Sequence, residues 1–195
     1  MYVYILGGFL GSGKTSLMLD LTSMYIDRGQ KVALLVNESG KVGVDGITMK
    51  REGYDAIEMP NGCICCTLAS SLQNGLRNIA EDIKPDIILI EPTGLALPHR
   101  VKDLVRIAMI DEKETIIIGV VDIQRFDDLI LKKTDFFKRQ MHECNFILIN
   151  KSDLSTPERL AEVTDWLASE YPDKPIYSIS VTEGTNMDKV HELMK

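Results

Sequence analysis

The sequence predicts a doubly wound α/β domain, in which helices cover both faces of a mostly parallel sheet of about seven strands. Two observations lead to this fold class. Short runs rich in isoleucine and valine, without polar alternation, are typical of strands buried on both faces, and amphipathic segments alternate with these runs along the chain. The predicted strands cover residues 2–6, 31–36, 55–59, 86–90, 115–121, 145–149 and 176–179, and the predicted helices cover 14–28, 68–82, 98–109, 126–132, 157–171 and 187–194.

Local signals support individual elements in chain order. The opening apolar run predicts the first strand, and the spacing of Leu17, Leu21 and Tyr25 predicts the helix that follows it. Cys144 stands alone before an apolar strand, and we expect it to be a small buried side chain. Pro157 suits the first turn of a helix, with Thr156 as the N-cap.

The composition is that of a globular domain, and it argues against two classes of partner. The 195 residues are 45% hydrophobic and 26% charged, with no repeat or linker, so we expect one domain over 1–195. A formal net charge of −7 without a basic stripe argues against nucleic acid and anionic membranes. The sequence shows neither a leader peptide nor a bilayer-spanning run, so we expect a cytoplasmic protein.

Residues 8–15 fit the phosphate-binding pattern GxxxxGK[ST] in full. Its glycines let successive backbone N–H groups turn toward phosphate oxygens. Lys14, also a candidate catalytic residue, can reach the β and γ phosphates, and the Thr15 hydroxyl can bind Mg²⁺. The sequence therefore predicts a nucleoside triphosphate site. Its candidate nucleotide ligands are Gly8, Gly11, Ser12, Gly13, Lys14, Thr15 and Ser16.

The segment after the predicted strand 145–149 fits the pattern NKxD and predicts guanine as the base. An Asp153 carboxylate can accept hydrogen bonds from N1–H and the N2 amine of guanine, a donor pair that adenine lacks. Lys151 can lie along the base plane, and Asn150 can tie the loop together. Ser180 and Val181, after the last predicted strand, are candidates for a second wall of the base pocket.

An acidic residue, Glu91, follows the buried strand 86–90. In P-loop proteins a carboxylate in this place orients Mg²⁺, directly or through its water shell, so Glu91 is a candidate magnesium ligand and catalytic residue. The N–H of Gly94 can then meet the γ-phosphate. The alternative is an ordinary strand-to-helix turn in which Pro92 and Gly94 only break the strand.

The glycine-rich segment from Asn37 to Gly53 has the composition of a loop that orders and disorders with the γ-phosphate. Asp45 is the candidate to approach Mg²⁺ or the attacking water as a catalytic acid. Glu38 is the candidate oxygen ligand for a transition metal. A plain surface loop is the alternative for each residue.

Three cysteines, Cys63, Cys65 and Cys66, precede a predicted helix. The positive end of a helix favours thiolates, and thiolates this close need a cation between them. The cluster therefore predicts a site for Zn²⁺, or for Co²⁺, Ni²⁺ or Cu⁺. Its fourth ligand stays open between water, Glu38, a histidine and a partner's residue, and His99 follows the magnesium segment closely enough to merit a test. Structural cysteines and a redox or sulfur-transfer role are the alternatives.

Taken together, these motifs resemble the CobW/HypB/UreG family of P-loop GTPases, and most of all its CobW-type branch. The likeness covers residues 1 to about 185 and is carried by the P-loop, the 37–45 segment, the CxCC element, the Glu91 segment, Val121-Asp122 and NKxD. It implies a parallel sheet of the SIMIBI class, slow GTP hydrolysis with Mg²⁺, a nucleotide-dependent homodimer, and delivery of a transition metal to a client metalloenzyme or corrinoid protein. CobW-type members usually carry a further C-terminal domain, which we do not expect within these 195 residues.

The leading interpretation is a GTP-hydrolysing metallochaperone. GTP with Mg²⁺ orders the 37–45 segment and brings Glu38 toward the cysteines, and hydrolysis releases the ion. Three alternatives stay open: a GTPase switch that regulates a partner and has a structural zinc, a small-molecule kinase, and an iron–sulfur or redox protein.

Overall fold

The computed structural model contains one sheet of seven strands: β1 (Tyr2–Gly7), β2 (Val32–Val36), β3 (Asp55–Glu58), β4 (Ile87–Glu91), β5 (Glu114–Asp122), β6 (Phe146–Asn150) and β7 (Ile176–Ser178). The structure describes residues 1–36, 55–58 and 67–195. The strand order is β3-β2-β4-β1-β5-β6-β7, and every neighbouring pair is parallel. The predicted doubly wound parallel sheet is confirmed.

Within the described ranges, six α-helices pack on this sheet: α1 (Lys14–Asp27), α2 (Thr67–Asn78), α3 (Pro98–Ala108), α4 (Phe126–Met141), α5 (Pro157–Glu170) and α6 (Met187–Leu193). A π-helical turn, Ile79–Ile83, directly follows α2. Helices α1 and α6 bury their apolar residues against one face of the sheet, and α2, α3, α4 and α5 bury theirs against the other. Among the described residues, no helix has the length and apolar character to span a bilayer.

Coverage of both sheet faces explains why the strand sequences are apolar without alternation. In β1, Val3 and Ile5 belong to the core beneath α2 to α5, whereas Tyr4 and Leu6 belong to the core beneath α1. All four side chains are fully buried. Because successive side chains of a strand point to opposite faces, a strand between two helical layers needs apolar residues at every position.

Helix α4 differs from its prediction, since residues 126–132 form only its first half. Lys133 has non-helical backbone angles, φ −144° and ψ 30°, and the helix then continues to Met141. The second half carries Phe136 and Phe137, whose ring centroids lie 5.6 and 6.2 Å from that of Phe9. The polar run around the kink concealed this half from the helical pattern.

Two local predictions are confirmed. The Thr156 side chain accepts a hydrogen bond from the N–H of Arg159 at 3.2 Å and so caps α5, with Pro157 in the first helical position. Cys144 is buried, with 2% of its surface exposed.

Candidate nucleotide site

The P-loop connects β1 to α1 at the carboxyl edge of the sheet and lies against the loop that follows β6. Gly13 has φ +96°, and a β-carbon there would lie 2.1 Å from Asn150 Nδ2, so only glycine fits. Asn150 Nδ2 donates to the carbonyl oxygen of Ser12 at 2.9 Å. The predicted phosphate loop and the predicted base loop are therefore in direct contact.

Lys14, the first residue of α1, is buried beneath the P-loop. Its Nζ donates to the carbonyl oxygen of Phe9 at 3.1 Å and lies 3.8 Å from Glu91 Oε1. Burial lowers the pKa of this ammonium, and the charge of Glu91 partly opposes that effect. A buried cation with one carboxylate beside it is suited to receive the negative charge of a phosphate.

Thr15 and Glu91, the two predicted magnesium ligands, are also in contact. The Thr15 hydroxyl, on an exposed residue, donates to Glu91 Oε2 at 2.8 Å, and Glu91 is the last residue of β4. A hydroxyl and a carboxylate supply the oxygen donors that Mg²⁺ prefers, and the pair leaves most of an octahedral shell for water and phosphate. These residues fit a magnesium ion.

The turn after β4 packs directly on the P-loop. A β-carbon on Gly94 would lie 2.6 Å from the backbone nitrogen of Leu10, so the two backbones approach as closely as glycine allows. Buried Gln140 of α4 holds this turn, because its Nε2 donates to the carbonyl oxygens of Gly94 at 2.9 Å and Ala96 at 3.2 Å. Sequence reasoning missed Gln140, which lies 46 residues from Gly94 in the chain.

The NKxD segment is tied to two neighbouring loops. Asn150 Oδ1 accepts a hydrogen bond from the N–H of Val181 at 3.2 Å, while its Nδ2 reaches the P-loop. Lys151 has φ +64°, and its Nζ lies 2.7 Å from the Oδ2 of buried Asp122. Asp122 was part of the recognised motifs but was not predicted as a site residue. Here it fixes the position of the Lys151 side chain.

The second candidate wall of the base pocket follows β7. Ser180 is buried, its hydroxyl accepts a hydrogen bond from the N–H of Glu183 at 3.2 Å, and its backbone pairs with that of Thr185. The N–H of Ser152 donates to the carbonyl oxygen of Ile179 at 3.1 Å, which joins this loop to NKxD. Asp153 lies in the exposed 3₁₀ turn Ser152–Leu154, and its carboxylate is open to a ligand from solvent.

The remaining predicted residues, Glu38, Asp45, Cys63, Cys65 and Cys66, lie outside the described residues. Within residues 1–36, 55–58 and 67–195, no group of three or more histidine, cysteine, aspartate or glutamate side chains is arranged to hold a metal ion. The proposed transition-metal site therefore still depends on the sequence pattern.

Comparison with known proteins shows which family the chain belongs to. Residues 2–178 match the nucleotide-binding domain of CobW/HypB/UreG proteins. The chain belongs to the CobW/HypB/UreG family. Among curated proteins, the chain is 36% identical over 176 residues to the zinc chaperone YeiR of Escherichia coli. The match covers 88% of this chain and 53% of that protein. It is 33% identical over 175 residues to the zinc-regulated GTPase metalloprotein activator 1 of Schizosaccharomyces pombe, covering 83% of this chain and 41% of that protein.

Solved structures show the same fold. The hydrogenase maturation factor HypB of Archaeoglobus fulgidus superposes with a TM-score of 0.72 at 21% identity, over 100% of this chain and 88% of that one. Zn(II)-bound YjiA GTPase of E. coli superposes with a TM-score of 0.66 at 25% identity, over 92% of this chain and 57% of that one. The chain spans about half the length of the curated relatives it matches.

Proposed function

We propose that this CobW/HypB/UreG domain binds and hydrolyses GTP, and that the GTP cycle governs the binding and release of a transition metal ion. The observation that carries the nucleotide part is the pair of hydrogen bonds made by Asn150. This side chain bonds the P-loop at Ser12 and the loop after β7 at Val181, which supports a single site with adjacent phosphate and guanine subsites.

Each predicted nucleotide-site residue has a role in this proposal. The P-loop N–H groups and Lys14 hold the β and γ phosphates, while Thr15 and Glu91 hold Mg²⁺ directly or through water. The N–H of Gly94 meets the γ-phosphate, and Asp153 selects guanine with Lys151 along the base plane. Asp45 is the proposed acid that approaches the attacking water.

The metal part of the proposal rests on the CxCC element with Glu38. Thiolates select soft or borderline cations, and Zn²⁺ is the default, with Co²⁺ and Ni²⁺ as alternatives. Two relatives support this choice, since they are named a zinc chaperone and a zinc-regulated metalloprotein activator. We further propose a client metalloenzyme or corrinoid protein, a nucleotide-dependent homodimer, and a reducing, cytoplasmic setting that keeps the thiols free.

The nucleotide part is tested by binding and turnover. We expect GTP and GDP to bind at least about 100-fold more tightly than ATP and ADP, because the Asp153 carboxylate would be left unpaired against adenine. We also expect phosphate release from GTP that Lys14→Ala and Glu91→Gln abolish. Equal affinity for ATP, or phosphate transfer to a small acceptor without release, would favour the kinase alternative.

The metal part is tested by titrating Co²⁺ into the reduced protein, because thiolate charge-transfer bands report the cysteines directly. We expect Cys65→Ser to lose the bands while its circular dichroism and unfolding midpoint stay those of the metal-free wild type. Loss of folded structure in Cys65→Ser would instead assign a structural zinc and a partner-regulating GTPase. A brown colour on anaerobic purification would indicate an iron–sulfur cluster.

A further inference from the structure

We propose that Arg125 is a positioning residue of the nucleotide site: it holds the Leu10–Gly11 peptide of the P-loop so that the N–H of Gly11 faces the phosphates of the bound nucleotide. The inference rests on the proposed function, and it adds a residue that neither the phosphate-binding motif nor the guanine-binding motif contains. Three observations support it: a hydrogen bond to the P-loop, a free N–H on the other side of the same peptide, and a fixed turn that carries the arginine.

The guanidinium of Arg125 lies against the P-loop. Its Nη1 donates to the carbonyl oxygen of Leu10 at 2.6 Å, and this is the one hydrogen bond of Arg125 among the described residues. A β-carbon on Gly11 would lie 3.4 Å from the same Nη1, which is the nearest described atom outside the glycine's chain neighbours. Because a hydrogen bond from a charged donor is stronger than one between neutral groups, this contact fixes the direction of the Leu10 carbonyl.

The direction of that carbonyl determines where the Gly11 N–H points. A trans peptide unit is planar, so its C=O and N–H groups point in opposite directions. Gly11 has φ +79°, and a glycine adopts the backbone angles on either side of zero with similar ease. The peptide before it therefore rotates at little cost unless a contact holds it. The bond from Arg125 supplies that contact and selects one orientation.

The N–H of Gly11 is available to a ligand. Within residues 1–36, 55–58 and 67–195 it has no hydrogen-bond acceptor, whereas the N–H of the next residue, Ser12, already donates to the carbonyl oxygen of Phe9 at 3.2 Å. Gly11 is also exposed. In the GxxxxGK[ST] pattern the backbone N–H groups of the loop hold the phosphate oxygens. The free N–H points away from Arg125, which leaves it for a phosphate oxygen.

The side chain of Arg125 is exposed, but the turn that carries it is fixed. Arg125 ends the short 3₁₀ turn after β5, whose first residue, Ile123, is buried. Asp122 caps this turn, because its Oδ1 accepts a hydrogen bond from the N–H of Gln124 at 3.0 Å. The Oδ2 of the same carboxylate lies 2.7 Å from Lys151 Nζ in the NKxD segment. One buried carboxylate therefore anchors both the predicted base segment and the turn whose arginine holds the P-loop.

Nucleotide affinity and turnover test the inference. With fluorescent GDP, we expect Arg125→Ala to bind about tenfold more weakly than the wild type, and Arg125→Lys, which keeps a charged donor, to stay within about threefold. The KM for GTP should rise by the same factor as the loss of affinity while kcat stays nearly unchanged, because the Gly11 N–H contacts the phosphates in the ground state and the transition state alike. Arg139→Ala removes an exposed arginine from α4 and is the matched control, with the affinity of the wild type expected.

The NMR signal of the Gly11 amide reports on the peptide itself. When GDP binds, we expect its proton resonance to move downfield in the wild type and in Arg139→Ala. At saturating GDP, Arg125→Ala should lose most of that shift while its circular dichroism stays unchanged. The full shift together with wild-type GDP affinity in Arg125→Ala would overturn the role of Arg125, as would an equal loss in Arg139→Ala. Failure of the wild type to bind GDP would instead overturn the proposed nucleotide site itself.

Discussion

Asn150 is the side chain that joins the two halves of the candidate nucleotide site. It is 3% exposed, and its amide spans from Ser12 in the P-loop to Val181 in the loop after β7. Short-range patterns led us to predict this residue, the P-loop and Asp153 as parts of a nucleotide site. Asp122 and Gln140 were missed, because their partners Lys151 and Gly94 lie 29 and 46 residues away and no local pattern records such pairs.

Asp153→Asn tests base selection at the residue scale. In the proposed complex the carboxylate accepts hydrogen bonds from two N–H groups of guanine. An amide in its place would point its own N–H group at one of them. We expect the affinity for GDP to fall by about 100-fold or more. The affinity for xanthosine diphosphate should rise, because its 2-carbonyl can accept a hydrogen bond from the new amide. Fluorescent-nucleotide titration measures both, with Asp173→Asn as an exposed control. Unchanged GDP affinity would remove Asp153 from the site.

Cys144 should behave as an inert thiol. Burial raises its pKa to about 12, and its Sγ donates to the carbonyl oxygen of Gln140 at 3.4 Å. Because the thiol titrates near pH 9 in the unfolded chain, its contribution to the free energy of unfolding is complete below about pH 9 and is lost as the pH rises toward 12.

A thiol assay checks this assignment. In metal-free native protein at pH 8, we expect the number of rapidly reacting thiols to be the same in the wild type and in Cys144→Ser. Denaturation should release one extra thiol in the wild type alone. A rapid reaction lost in native Cys144→Ser would show that the thiol is accessible.

At the scale of elements, the strands were predicted well because each is a short apolar run covered on both faces. Helix α4 was predicted only in part, because the non-helical Lys133 divides it and polar residues surround the break. The second half of this helix is stabilised by tertiary packing, which the local sequence does not reveal. Phe137 lies between Phe9 and Trp166, with centroid distances of 6.2 and 6.0 Å.

Phe9→Ala should therefore weaken the whole domain as well as the P-loop. Phe9 is 7% exposed and packs on two aromatic rings of α4. We expect a loss of about 3–5 kcal/mol in the free energy of unfolding, against about 1 kcal/mol for Phe9→Leu. Urea unfolding followed by the fluorescence of Trp166, the single tryptophan, measures both. A loss under 1 kcal/mol for alanine would show that this cluster does not anchor the loop.

Gln140→Leu should impair recognition of the γ-phosphate while leaving the GDP site in place. Its two hydrogen bonds hold the Gly94 turn against the P-loop, and losing them frees the turn. We expect affinity for a non-hydrolysable GTP analogue to fall roughly tenfold, with GDP affinity nearly unchanged. Cys144→Ala is the matched control, since it disturbs the same end of α4 without touching the turn. Equal losses for both nucleotides would indicate general destabilisation.

For the molecule as a whole, we propose that the nucleotide site and the metal site are coupled. The parallel sheet makes this possible, because the P-loop, the Glu91 turn and the NKxD loop all emerge at its carboxyl edge, where α2 also starts. Sequence alone predicted that architecture, since alternating strands and helices dictate it. The packing of Gly94 on Leu10 depends on tertiary contacts, so it could not be predicted from the sequence.

Coupling is measured as the Zn²⁺ affinity of the nucleotide-free, GDP-bound and GTP-analogue-bound protein, determined by chelator competition with Mg²⁺ present. We predict at least about tenfold tighter binding with the GTP analogue, and by linkage an equal gain in analogue affinity when Zn²⁺ is bound. The same Zn²⁺ affinity in all three states would contradict a nucleotide-gated metal carrier.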